Sequence, residues 1–131
     1  MSLLDKIRRL EDFLRSNPGL AGVPVFLVNG RPVSLSEALA MLRSNVNVPE
    51  VLSGLQSLGL DGEETWILAE EFWRRVASAR PDISIMMLQP YVPAMSPMEA
   101  LQHIRARDEI GARLVQMYAN MVNFIRARAG V

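Results

Sequence analysis

The 131-residue chain contains no cysteine. Disulfides, thiolate nucleophiles and Cys-ligated zinc or iron–sulfur centres are excluded with it. Histidine occurs once, as His103. A Ser–His–acid set therefore has one candidate base, and no G-x-S-x-G turn accompanies it. Neither a G-x-x-x-x-G-K-[ST] loop nor a G-x-G-x-x-G turn is present, so the recognisable cradles for nucleotide phosphates are missing. Lysine is nearly absent: of 14 basic residues, Lys6 alone is not arginine. An excess of one charge is lacking too, because 14 acidic residues balance them. A dedicated polyanion binder draws affinity from surplus cations at phosphates, and the balance weighs against one.

Long apolar runs are also missing. No stretch approaches about eighteen apolar residues, so no segment is expected to span a membrane. The first twenty residues alternate charged and apolar types at helical spacing, without the apolar block of a signal peptide. With no cysteine either, a cytoplasmic protein is expected. The length fits one domain over residues 1–131. A chain of this size buries about two-thirds of its unfolded surface and needs no disulfide or metal to fold.

What is present is helical grammar. Half of the residues are hydrophobic, 50%. Leu3, Ile7, Leu10 and Leu14 share one face of a helix over residues 2–16. Glu11 and Arg15 are spaced to pair across one turn. Asn17-Pro18-Gly19 stops that helix. Val25 to Val28 reads as a strand, and Asn29-Gly30 is a strong type I′ hairpin signal. The return arm, Arg31 to Val33, carries Pro32 and so belongs at an edge or bulge. Because a lone hairpin is marginal in water, it must pack on helices or gain a third strand. Ser34 with Glu37, Asn47 with Glu50, Asp61 with Glu64 and Ser96 with Glu99 read as helix starts, the last with Pro97 at the first helical position. The spacing predicts helices near 35–45, 48–58, 62–79 and 97–128, with Gly59 closing the second of these. Residues 80–97 interrupt the pattern with Pro81, Pro90, Pro93 and Pro97. Alternation over 83–88 predicts a short strand that joins the hairpin in a three-stranded sheet, or an extended crossover. The expected fold is mainly α: about five helices, a small β-hairpin and a long C-terminal helix.

That last helix carries two apolar stripes. One is Ile110, Leu114, Met117, Met121 and Phe124; the other is Val115, Tyr118, Val122 and Ile125. Its polar face is narrow for a surface helix. It is either a central helix or one shared with a second copy. About thirty helical residues would extend roughly 45 Å, well beyond a domain with a radius of gyration of about 14 Å. The excess favours a homodimer closed by Val115, Tyr118, Met121, Val122 and Ile125.

No cofactor or metal is expected. Glu99 and His103 are one turn apart, but they make half a site at best. Glu70 and Glu71 each have an arginine, Arg74 or Arg75, four residues on. Residues 34–60, SLSEALAMLRSNVNVPEVLSGLQSLGL, are similar to helix-turn-helix units of winged-helix regulators, where the second helix enters the major groove. They depart from them in offering Glu50, Ser53, Gln56 and Ser57 outward, with no cation between residues 44 and 73, and in placing the hairpin before the helices. The arginine groups Arg8-Arg9, Arg74-Arg75, Arg105/Arg107 and Arg126/Arg128 provide cations on other helices. The last pair complements a helix C-terminus. Met86, Met87, Met95 and Met98 fall in or beside the proline-rich segment. Methionine fills irregular cores and also lines adaptable contact surfaces. Tyr91 either anchors a partner or pins the segment to the core.

The expected role is non-catalytic: a self-associating structural or interaction protein, a homodimeric subunit or adaptor of a larger assembly. The alternative is a nucleic-acid-binding accessory protein that uses residues 34–60 or Arg74, Arg75, Arg105 and Arg107. A third reading is a pocket near Trp66, Trp73 and His103 that binds a small molecule.

Overall fold

The structure, a computed structural model, describes residues 2–56 and 62–129. It is mainly helical, with six α-helices and two antiparallel hairpins among the described residues. The chain groups into two compact units. The first comprises residues 1–60 and 122–131, the second residues 61–121.

In the first unit, α1 (Leu3–Ser16) starts at Ser2, whose Oγ accepts the Asp5 N–H at 3.1 Å. Strands β1 (Pro24–Val28) and β2 (Arg31–Ser34) form the expected hairpin. Asn29 and Gly30 have φ of 51° and 79°, the left-handed pair that a type I′ turn requires. Pro32 lies opposite Leu27, on a two-stranded ribbon whose outer edge needs no donor. Helices α2 (Leu35–Arg43) and α3 (Val48–Gln56) follow. The buried ring of Phe26 on β1 lies where a Cβ on Gly54 would stand, 2.3 Å away. Glycine there lets α3 approach the strand, so the hairpin is supported by a helix and not by a third strand. Arg43 bonds Glu11 and ties α2 to α1. Arg15 takes Asp12, at 2.9 Å, in place of Glu11.

The second unit holds α4 (Gly62–Ala79), β3 (Ile85–Leu88), β4 (Tyr91–Met95) and α5 (Pro97–Ala106). The next helix, α6 (Glu109–Ala129), contributes its residues through Met121 here and the remainder to the first unit. Leu68, Trp73, Val92, Leu101, Ile104 and Leu114 are buried. The Phe72 ring stands edge-on to Trp73 at 5.1 Å and tilts toward Tyr118 at 5.9 Å.

Three expectations change. The strand near 83–88 pairs with residues 91–95 and not with the first hairpin, so there are two two-stranded ribbons and no three-stranded sheet among the described residues. The helix expected over 97–128 breaks at Arg107, which adopts the left-handed conformation at φ 55°. Asp108 then starts α6, its Oδ1 accepting the Gly111 N–H at 2.8 Å. With 21 residues, α6 spans roughly 32 Å, and the length argument for a partner lapses. Gly59 and Asp61 lie outside the described residues.

Candidate interaction surface

Strands β3 and β4 read IMML and YVPAM and contain no charged residue. Leu88 pairs with Tyr91, Met87 with Val92 and Ile85 with Met95, with a register shift between Ile85 and Met87. Side chains alternate across the ribbon. Val92 and Met95 are buried, and Ile85 and Met87 are half-buried. The other face carries Met86, Leu88 and Tyr91, which are 63%, 76% and 54% exposed. Met86 and Leu88 are two residues apart on one strand, and Tyr91 is the cross-strand partner of Leu88. The three form one patch. Arg113 fixes the ribbon from α6: its Nη1 donates to the Tyr91 carbonyl at 3.1 Å while Nη2 bonds Glu109 at 2.5 Å.

Pro93 lies in β4, whereas β3 has no proline. In a two-stranded ribbon each strand has one edge without a ladder. The β3 edge carries no proline, and Pro93 falls between the Val92 and Met95 pairs, where the register shifts.

The stripe expected to close a dimer lies elsewhere. Val115, Tyr118, Val122 and Ile125 are buried within the chain itself, and Met121 is half-buried. Burial pushes the Tyr118 phenol well above its ordinary pKa. The four buried residues belong to the core of the single chain. Of the α6 side chains, Phe124 is the large apolar one that stays exposed.

The arginines proposed for nucleic acid are engaged with carboxylates. Arg74 and Arg75 both hold Glu71, at 2.6 and 2.8 Å, and the Arg74 bond leads in pulling its carboxyl down to about 2. Arg105 bonds Glu70 at 3.3 Å. Arg107 bonds Glu63 and lies 4.9 Å over the Trp66 ring. The helix-turn-helix-like segment appears as α2 and α3 with Glu50, Ser53 and Gln56 exposed; Ser57 lies outside the described residues. His103 and Trp73 do not assemble a polar site. His103 Nδ1 meets Asp108 Oδ2 at 2.6 Å, and Glu99 caps Ser96. The Asp108 carboxyl lies below the usual range, held first by the Gly111 N–H and then by His103. Among the described residues, no three His, Asp or Glu side chains converge as a metal site. No helix among them is long and apolar enough to cross a membrane.

No protein-family model, curated protein or solved structure matches the chain.

Proposed function

We propose that this chain is a non-catalytic interaction protein that self-associates through the outer face and free edge of the β3–β4 ribbon. The exposed cluster of Met86, Leu88 and Tyr91 carries the reading. Contiguous apolar surface of this kind marks contact sites.

A second copy suits the patch for three reasons. An uncharged face meets its own copy without like-charge repulsion. A two-fold contact presents the same patch on both sides. Antiparallel pairing of β3 with β3 of a second copy is itself two-fold and uses the same edge on both copies. Covering three such side chains on each copy removes roughly 600 Å² from water in all, below the range of stable interfaces. The association is therefore weak, with a dissociation constant on the order of 100 μM.

Sedimentation equilibrium tests this. Between about 10 and about 500 μM the mean mass should climb toward twice the monomer mass. Leu88→Glu should keep the chain monomeric, while Leu4→Glu on α1 should change nothing. A wild-type chain that stays monomeric at the upper concentration sinks the proposal.

A further inference from the structure

The chain has no cysteine, so the thioethers of its methionines are the side chains a mild peroxide reaches first. Which of them react follows their exposure. On the β3–β4 ribbon, Met95 is buried and Met87 half-buried. Among the described residues two methionines are exposed: Met86 at 63% and Met98 at 51%. Their surroundings differ. Met98 lies in the first turn of α5, between Pro97 and Glu99. Met86 lies on β3 two residues from Leu88, within the uncharged patch that the ribbon reading joins to a second copy.

Oxidation changes what Met86 offers to that contact. A thioether is apolar and adaptable. A sulfoxide is polar and accepts hydrogen bonds, and burying one without a donor is unfavourable. The patch on the facing copy has one side-chain donor, the Tyr91 hydroxyl; Met86 and Leu88 supply none. The N–H groups along the β3 edge are those that strand pairing itself consumes. A contact with a dissociation constant on the order of 100 μM has little affinity to lose.

We propose that Met86 is an oxidation site that controls self-association: a peroxide converts its thioether to the sulfoxide, and the ribbon contact opens. The inference rests on the ribbon reading. With hydrogen peroxide, a sulfur lone pair attacks one oxygen, the O–O bond breaks and the S–O bond forms. The second oxygen takes the proton that arrived with the first and leaves as water. Sulfur loses two electrons and the peroxide gains them. The monomer is the reactive form, because the second copy covers Met86. Oxidation and association therefore oppose each other: the dimer shields the sulfur, and the sulfoxide blocks the dimer. Met98, on α5 and off the ribbon, is an internal reference.

The test treats the full chain with dilute hydrogen peroxide and follows oxygen uptake at each methionine by peptide mass spectrometry. In dilute protein, Met86 should be oxidised ahead of Met87. Raising the chain from about 10 to about 500 μM lowers the monomer fraction about threefold for a dissociation constant near 100 μM, so the Met86 rate relative to Met98 should fall by about that factor. In Leu88→Glu the ratio should stay constant. Sedimentation equilibrium of the oxidised chain should show association weakened at least about tenfold. Met86→Leu keeps the apolar surface without the sulfur, so it should dimerise and ignore peroxide. Met98→Leu should dimerise and remain sensitive. Both substitutions are at exposed positions and should leave the circular dichroism spectrum unchanged. A dimer that persists with Met86 fully converted, peroxide that still dissociates Met86→Leu, or uptake at Met86 no faster than at Met87 overturns this inference and leaves the ribbon reading standing. An untreated chain that is monomeric at every concentration overturns both.

Discussion

Glu71 is the most strongly perturbed carboxylate of the second unit. Arg74 and Arg75 bracket it at hydrogen-bond distance, and its pKa falls from an ordinary 4.5 to about 2. A carboxyl depressed on folding stabilises the fold above its unfolded pKa, and that contribution disappears as the pH falls through the folded value. The window here runs from 4.5 down to about 2. Glu71→Gln should cost roughly 1–2 kcal/mol at neutral pH, allowing for screening of the half-exposed Arg74. The gap to the wild-type chain should close across that window. Urea denaturation at a series of pH values measures it, and a constant gap down to acid pH would contradict the assignment. The sequence offered Glu70–Arg74 and Glu71–Arg75 as separate pairs. The structure gives both arginines to Glu71 and sends Glu70 to Arg105 on α5, a partner 35 residues away that helical spacing cannot reveal.

At the scale of elements, local chemistry was legible and long-range choice was not. Asn29-Gly30, Ser34 with Glu37 and Ser96 with Glu99 stand where their side chains dictate, because a cap or tight turn is settled within a few residues. Ser34 is buried, and its Oγ both donates to the Glu37 carboxylate at 2.9 Å and accepts the Glu37 N–H at 3.2 Å. Ser34→Ala should therefore cost about 1–2 kcal/mol, and more than Ser2→Ala at the exposed cap of α1. Equal losses in thermal denaturation would refute that ranking. The break between α5 and α6 was hidden, since an arginine, not glycine or proline, takes the left-handed residue. Asp108 as a cap and Gly111 three residues later were the available signal. A Cβ on Gly111 would stand 2.3 Å from the His103 carbonyl oxygen, a backbone atom that cannot swing aside. Gly111→Ala should destabilise the chain by about 1–3 kcal/mol despite alanine's better helix propensity. An unchanged urea midpoint would mean the junction has slack. The second hairpin was half-legible: alternation marked its first strand, but Pro90 and Pro93 disguised the second. Pro90 falls in the turn and Pro93 at the register shift between the Val92 and Met95 pairs, so neither interrupts a regular ladder. The same segment's methionines and Tyr91 stood out in the sequence. Which of them face outward depended on the register, and only the fold supplies that.

At the scale of the molecule, charge balance among the described residues is partly local. Glu11 meets Arg43, Asp12 meets Arg15, Glu63 meets Arg107 and Glu109 meets Arg113. Exposed pairs of this kind contribute little stability each, and each pair cancels much of its own field at a distance. The second apolar stripe of α6 pointed to a dimer because the sequence could not show that the chain itself buries Val115, Tyr118, Val122 and Ile125. The exposed patch of Met86, Leu88 and Tyr91 holds no charge at all. Self-association there should respond to salt as apolar burial does. Between about 50 and about 500 mM NaCl the Debye length shrinks severalfold, but there is nothing across an uncharged contact to screen. The dimer affinity should hold steady over that range and rise in ammonium sulfate, which strengthens apolar burial. Sedimentation in both salts decides the matter. A dissociation constant that climbs steeply with NaCl would place charged residues at the interface and remove the ribbon from it.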